Sequence, residues 1–488
     1  MVQKNIVLAT LNSRFSHTSI ALRYLFANLE NLQDQSVILE FVINEDNSRI
    51  VEQILKYNPK IVGIGVYIWN AKDIEQIVKI IKKISPKTFI ILGGPEVSYE
   101  PFRIDFSKAD FIIQGEGEKP FFELCRKILN NEKITNKIFT PVMQNFEQLE
   151  TPYKFYNDDD IKNRHIYFEA SRGCPFHCEF CLSSIDNKMR YLKIERVLEE
   201  LEYLWKKGAR NFKFIDRTFN VRIEFGVAIL EYFLAKDEDY FLHFEVIPDN
   251  FPQNLKDLIV KFRQNSLQLE VGLQTLNLEV AQNIKRNLKI DKIKENLDFL
   301  NNKTNAHLHV DLIVGLPGES LDSFGQNLDE LINLTKSEIQ IGILKKLSGT
   351  TLGRHDEIFG NIWSDFPPYD ILQNDLINFS DMQRMKRFAR FWDIVYNSGN
   401  FKNIFQILKN DGKVFQKFLD FCDFVFANSK STSQISPNRM ATFLQNFFIN
   451  NKICTFDEFE SAYIKDFEPK QTTKNIKKSA IKRQENWS

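Results

Sequence analysis

Short apolar runs alternate with amphipathic stretches along the first third of the chain. The runs 5–11, 37–43, 61–68, 88–92 and 111–114 are apolar at successive positions and bounded by turn residues, which predicts five buried strands. Between and after them, 18–32, 49–57, 71–84 and 119–130 carry apolar residues at helical spacing. Strands alternating with helices imply a parallel sheet covered on both faces, a flavodoxin-like arrangement, over residues 1–140. Segment 141–165, with Pro141, Pro152 and the acidic run Asp158, Asp159, Asp160, reads as a polar linker.

The same alternation then resumes. Strands are predicted at 166–171, 211–216, 241–247, 268–273, 308–314 and 339–344, and helices at 194–207, 223–235, 253–262, 290–300 and 321–334. Six parallel βα units over 166–364 make a partial (β/α)6 barrel of TIM type, whose chemistry belongs at the carboxyl ends of its strands. From residue 365 the pattern becomes helical: 369–398, 404–408, 414–428, 437–450 and 456–467 form a C-terminal helical domain over 365–469. The basic and aromatic residues of 384–392 fit an amphipathic helix with its rings inward better than an RNA contact. Segment 470–488 is basic, with few apolar groups, and is expected to be a disordered tail.

Composition adds limits. Lysine and arginine balance aspartate and glutamate, so no net field steers the chain to nucleic acid or to a membrane. No apolar run approaches the ~20 residues that span a bilayer, and the start lacks the pattern of a signal peptide. A cytoplasmic location is expected. Cys125, Cys422 and Cys454 stand alone in apolar, helix-like surroundings and carry no predicted role.

The other three cysteines, Cys174, Cys178 and Cys181, lie in one loop directly after the first predicted barrel strand. Three thiolates at this density can converge on one iron–sulfur cube, leaving its fourth iron open. A zinc knuckle lacks a fourth ligand, since His177 sits between the first two cysteines. An odd number of thiols in an intracellular chain argues against disulfides.

The Cys-x-x-x-Cys-x-x-Cys triplet, with aromatic Phe180 before its last cysteine, resembles the signature of radical S-adenosylmethionine (SAM) enzymes. That resemblance implies a [4Fe-4S] cluster whose open iron is chelated by SAM. It also implies reductive cleavage of SAM to methionine and a 5′-deoxyadenosyl radical, with an electron donor such as flavodoxin or ferredoxin. By the same resemblance Phe180, Gln274, Gly315, Pro317 and Leu347 lie at the SAM site, and Glu245 is a candidate for the ribose hydroxyls or a partner of a nearby arginine. Where many relatives carry Gly-Gly-Glu, this chain has Asp216 and Arg217; Asp216 is the candidate acceptor for the SAM ammonium.

The N-terminal module resembles the cobalamin-binding domain that precedes many radical SAM cores. Ser13, Arg14, His17, Gly93, Gly94, Pro95, Glu96, Gly115 and Glu116, all on loops at strand ends, are the expected cobalamin contacts. Domains that ligate cobalt through histidine carry Asp-x-His-x-x-Gly in the first loop. Here Phe15 and Ile20 replace the aspartate and the glycine. His17 is therefore expected not to ligate cobalt, but to touch the corrin side chains or cap the helix near Thr18.

Together these resemblances imply an enzyme that methylates or remodels an unactivated carbon of a small-molecule or RNA substrate. A radical SAM rearrangement, cyclisation or RNA modification without net methyl transfer is the alternative. A cobalamin or SAM sensor without turnover is the alternative of another class. A methylthiotransferase is disfavoured, because its additional cysteines are missing from residues 1–150. A monomer is expected. The helical C-terminal domain resembles that of an uncharacterised subgroup of cobalamin-type radical SAM proteins.

Overall fold

The computed structural model describes residues 3–467; the 470–488 tail lies outside the described residues. The N-terminal sheet contains β1 (Ile6–Asn12), β2 (Ser36–Val42), β3 (Ile61–Gly65), β4 (Phe89–Gly93), β5 (Phe111–Ile113) and β6 (Ile138–Phe139), in the order β2-β1-β3-β4-β5-β6 and parallel throughout. Helices α1 (Ile20–Ala27), α2 (Asn47–Leu55), α3 (Ala71–Ile84) and α4 (Glu118–Leu129) cover its faces over two apolar layers. The helix expected over 18–32 ends at Ala27, and a 3-10 turn follows at Glu30–Gln35. The short strand β6 was not foreseen, because two apolar residues between Lys137 and Thr140 carry no period.

Segment 141–165 is more than a polar linker. Phe146, Leu149, Tyr153 and Tyr156 are buried in the central core, and the short helix α5 (Asp158–Asn163) opens with a capping box on Asn157. The barrel strands β7 (Ile166–Phe168), β10 (Asn211–Phe214), β11 (Phe241–Val246), β12 (Leu267–Gln274), β13 (His307–Val314) and β14 (Glu338–Ile343) follow in unbroken spatial order. The short antiparallel pair β8 (Ser171–Arg172) and β9 (Arg190–Tyr191) brackets the cysteine loop. Helices α6 (Ile194–Lys206), α7 (Ile223–Leu234), α8 (Gln253–Ile259), α9 (Leu278–Asn283), α10 (Ile290–Lys303) and α11 (Leu321–Leu334) connect the strands.

The sheet does not close, so β7 and β14 remain as edges, and side chains satisfy both. Tyr153 Oη donates to the Glu169 carbonyl at 3.0 Å and accepts from its N–H at 3.1 Å, while Tyr156 Oη donates to the Tyr167 carbonyl at 3.0 Å. At the other edge the Asn397 amide donates to the Ile339 carbonyl and accepts from its N–H, both at 3.0 Å. Each device occupies backbone groups that would otherwise pair with a foreign strand.

Beyond the barrel come the short helix α12 (Asp356–Phe359) and a small antiparallel hairpin of β15 (Ile362–Trp363) and β16 (Ile371–Gln373). The stretch 369–378 is thus not helical as the sequence implied. Helix α13 (Phe379–Trp392) begins only at its Asn378 cap and runs on into a π-helical turn, Asp393–Asn397. Helices α14 (Lys402–Leu408), α15 (Val414–Ser429), α16 (Pro437–Asn450) and α17 (Phe456–Phe467) complete the domain. In 384–392, Met385, Phe388, Phe391 and Trp392 are buried, while Arg384 and Arg387 pair with Asp423; that is the amphipathic reading. No described helix is long and apolar enough to cross a membrane.

Candidate functional site

The cysteine loop leaves the barrel where β7 ends. Its start is fixed by Asp216 at the end of β10, whose carboxylate accepts from Ala170 N at 3.1 Å and Ser171 Oγ at 2.6 Å. Burial pushes that carboxyl up to about 7. Asp216 was expected to meet the SAM ammonium; the structure spends both its oxygens on the loop. Gly173 takes φ +90°, and a side chain there would strike the Lys188 carbonyl at 2.5 Å, so only glycine passes.

Cys174 and Cys178 are buried, Cys181 is half-buried, and all three are free thiols close enough to act on one another electrostatically. Burial raises the thiols of Cys174 and Cys178, while Arg217 acts on Cys174 and Arg286 on Cys178 in the opposite sense. Arg286 Nη1 lies 3.5 Å from Cys178 Sγ, and its Nη2 donates to the Gly272 carbonyl at 2.6 Å. Three thiols in one irregular loop flanked by two guanidinium groups fit an anionic iron–sulfur cube. His177, between them in sequence, is exposed.

Glu179, next to Cys178, is wholly buried. Its carboxylate meets Lys285 Nζ at 2.8 Å, Arg354 Nε at 2.6 Å and His355 Nε2 at 2.7 Å, and its N–H donates to the Ile284 carbonyl at 3.2 Å. Burial works against the charge, yet these bonds hold Glu179 below the ordinary carboxylate range. The loop is thereby tied to the end of α9 and to the turn before α12. Sequence reading had no means of finding Glu179 or Arg286, since their partners are remote in the chain.

Beside Phe180 opens a cavity of about 250 Å³. Phe180, Gln274 and Leu347, three of the residues assigned to SAM, line it together, with Asp311 and Gln340 from β13 and β14. Gln274 sits at φ +73° where the β12–β13 register is irregular, which turns its amide out of the ladder. Asp311 Oδ1 is buried without a hydrogen-bond partner; burial and then Glu270 and Glu245 raise this acid well above its ordinary range. An orphaned acceptor in a cavity beside the thiols fits the amino group of SAM. Glu245 pairs with Arg217 at 3.2 Å, the packed-charge alternative for that residue.

Gly315 and Pro317, also expected at the SAM site, pack against other parts of the chain. The room Gly315 leaves is taken by Ile371 and Met382, and the Pro317 carbonyl accepts from Asn283 Nδ2 at 2.9 Å. That turn seats the C-terminal region on the barrel. Beside it the Glu319 carboxyl, pushed by burial up to about 8, accepts from Thr275 Oγ1 at 2.8 Å and Asn327 Nδ2 at 2.7 Å.

At the carboxyl ends of the N-terminal strands, Gly93 is the last residue of β4, and Ser13, Arg14, Gly94, Pro95 and Gly115 stand on the segments that follow the strands. Nothing lies within 4 Å of where a side chain on Gly115 would begin. Phe15 and Trp69, on neighbouring loops, are 58% and 45% exposed. Open backbone after β5 and exposed flat rings after β1 and β3, all at the same end of the sheet, fit a large planar macrocycle such as a corrin.

Three polar residues of this set are instead taken by protein partners. Glu96 accepts from Tyr369 Oη at 2.9 Å. Glu116 pairs with Arg190 at 2.7 Å and Arg172 at 3.4 Å, joining the N-terminal domain to the rim of the cysteine loop. His17 does not cap α1, because Ser19 does; its Nδ1 lies 2.7 Å from Tyr167 Oη, and its ring packs edge-on to His165. Burial, then His165, Lys213, Arg14 and Arg164, lower His17 to about 4, so its ring is neutral at pH 7. We expect the electron paramagnetic resonance spectrum of bound cob(II)alamin to show no nitrogen splitting and to be unchanged in His17→Ala; a one-nitrogen splitting lost in that variant contradicts this.

Family models match three stretches of the chain: the radical SAM superfamily over residues 168–331, the B12 binding domain over 6–124, and a protein of unknown function (DUF4080) over 357–487. An uncharacterized methyltransferase of Pyrococcus horikoshii is 31% identical over 225 residues, covering 41% of this chain and 49% of its own. The cobalamin-dependent radical SAM methyltransferase TokK of Streptomyces tokunonensis is 25% identical over 304 residues, covering 54% and 44%. The chain thus spans about half the length of the curated relatives it matches. Among solved structures, the cobalamin-dependent SAM radical enzyme OxsB with aqua-cobalamin bound superposes with a TM-score of 0.63 at 13% identity, over 95% of this chain and 84% of that one. The radical SAM methyltransferase TsrM of Kitasatospora setae, with cobalamin and a [4Fe-4S] cluster bound, gives 0.59 at 16% identity, over 72% and 77%. At these identities the likeness is one of fold.

Proposed function

We propose that this chain, which joins a B12-binding domain to a radical SAM domain, is a cobalamin-dependent radical SAM enzyme that methylates or remodels an unactivated carbon. The observation that carries the reading is the cavity beside the cysteine loop, where Phe180, Gln274, Leu347 and the orphaned Asp311 converge. The relatives whose names include methyltransferase favour methylation over rearrangement. Cys174, Cys178 and Cys181 would hold the cluster, and the N-terminal loops the cobalamin. When bound, these groups supply one-electron cleavage of SAM and methyl transfer to carbon.

The residues of the chain bind and orient. Asp311 offers an acceptor to the SAM ammonium, and Phe180 and Leu347 offer apolar surface to its adenine. Arg286 holds Cys178 against the end of β12. Glu179 and Asp216 fix the loop from both ends. An external one-electron donor, such as flavodoxin or ferredoxin, is part of the proposal. The substrate is a small molecule or an RNA.

The test is anaerobic turnover of the cluster- and cobalamin-loaded protein with SAM and dithionite, with products separated by mass. Methyl transfer leaves S-adenosylhomocysteine, and reductive cleavage leaves 5′-deoxyadenosine. Both are expected, and Asp311→Asn should lower both by roughly 10–100-fold through weaker SAM binding. 5′-Deoxyadenosine alone supports rearrangement without methyl transfer. Neither product, with SAM bound, supports a sensor.

A further inference from the structure

The inward face of the barrel is polar along its length. Lys213, His243, Glu245, Glu270, His309 and Asp311 alternate with apolar residues that face the helices. At the amino-terminal mouth, far from the cysteine loop, this lining ends in a compact group. His307 and His309 stand two residues apart on β13, on one face, and Glu338 on β14 pairs in register with His309. His307 Nε2 lies 3.0 Å from Glu338 Oε1, His309 Nε2 lies 2.9 Å from Glu338 Oε2, and the two Nε2 atoms are 3.1 Å apart.

No ordinary placement of protons satisfies all three contacts. The nitrogen–nitrogen contact needs a proton on one Nε2 and a lone pair on the other. The nitrogen bearing the lone pair then faces a carboxylate oxygen, and that contact needs a protonated Glu338. That one lone pair is already taken by the other histidine, so even a protonated carboxyl leaves a contact unmade. A cation resolves the conflict, since all the lone pairs can point at it. Donor atoms bonded at ~2.0–2.1 Å to one ion lie ~2.9–3.4 Å apart in octahedral or tetrahedral geometry, the range found here.

We propose that His307, His309 and Glu338 form a zinc site, with water completing the coordination. Two imidazoles and a carboxylate are a borderline donor set that suits Zn²⁺, whereas Mg²⁺ and Ca²⁺ prefer oxygen alone. His309 is 9% exposed and His307 45%, so the ion would be held from inside the barrel and reached from solvent. It lies at the end of the barrel associated with stability, and it would tie the edge strand β14 to β13 next to the π-helical turn. Asp393 and Tyr396 of that turn lie within electrostatic range of Glu338.

The test uses full-length protein with its cluster already reconstituted, so that iron occupies the cysteine thiolates. After equilibration with zinc sulfate and desalting, metal analysis should find about one zinc per chain beside the iron. Zinc K-edge absorption should show only nitrogen and oxygen neighbours at ~2.0–2.1 Å, without sulfur at ~2.3 Å. His307→Ala, at a half-exposed position, should weaken zinc binding by at least ~10–100-fold without changing the iron content. Glu338→Gln, which keeps the size of the side chain, should do the same. Wild-type protein that retains no zinc, a zinc shell containing sulfur, or unchanged zinc affinity in both variants overturns the proposal.

Discussion

Protein in which Cys174, Cys178 and Cys181 are all replaced by Ala is expected to retain no iron after reconstitution and desalting, and to leave SAM intact under dithionite. The wild type should hold about four irons and four sulfides per chain. The loop keeps its shape in the variant, because apart from the contact of Arg286 with Cys178 its fixings do not run through sulfur. Asp216 holds Ala170 and Ser171, the Asp186 carbonyl accepts from Cys174 N at 2.9 Å, and Glu179 reaches Lys285, Arg354 and His355. Loss of iron in a folded variant therefore reports the thiolates and not a collapsed loop. Iron and sulfide analysis, with 5′-deoxyadenosine measured by mass, decides the matter; retention of either cluster or cleavage would falsify the assignment.

The second large effect is expected where the N-terminal domain meets the barrel. Arg23 of α1, Glu40 of β2, Asp160 of α5 and Arg164 form a closed ring of ion pairs. Arg23 lies 2.8 Å from Glu40 and 2.7 Å from Asp160, and Arg164 lies 2.9 Å from each. All four side chains are buried. Burial alone would raise Glu40 and Asp160, but the arginines, Arg23 foremost, hold both below the ordinary carboxylate range.

Glu40→Gln leaves two buried guanidinium groups facing one carboxylate, and removing one partner of a buried pair costs ~3–5 kcal/mol. Calorimetry should show the first unfolding transition of the variant at a markedly lower temperature. The acid limb follows from the same shifts. Unfolded Glu and Asp titrate near ~4, and the folded groups lie below that. Their contribution is therefore complete above about pH 4 to 5 and is lost as the pH falls through the folded values. The wild type should lose stability steeply in that acid range, and Glu40→Gln less steeply. Equal slopes for the two proteins would count against the ring as the source.

Much of this architecture is legible in the sequence because buried parallel strands and amphipathic helices write their periods directly. Helix α3 begins and ends at the predicted residues, and all six barrel strands are where their apolar runs lie. The cysteine loop is legible because its three thiols lie within eight residues of one another in sequence. The errors share one cause, which is contact across distance. The stretch 369–378 has helical spacing, yet Tyr369 is drawn to Glu96 and Ile371 fills the space over Gly315. Glu116 and His17 stand on the loops where ligand contacts are expected, and the structure adds partners that the sequence does not show. Their partners, Arg190 and Tyr167, belong to another domain. Asp311 escaped notice because one acid in an apolar strand says nothing until the cavity is seen.

The way the barrel edges are covered sets an order on how the chain assembles during synthesis. Every barrel strand neighbours the next in sequence, so each βα unit can dock on the last as it emerges. The edge of β7 is covered from the start, since Tyr153 and Tyr156 precede it. The edge of β14 is not, for Asn397 leaves the ribosome more than fifty residues later. At synthesis rates of about 5–20 residues per second, that edge is open to foreign strands for several seconds. A chain stalled or truncated between residues 343 and 397 therefore carries an otherwise complete barrel with one adhesive side, and this is the window in which a chaperone or an aggregating neighbour would find it.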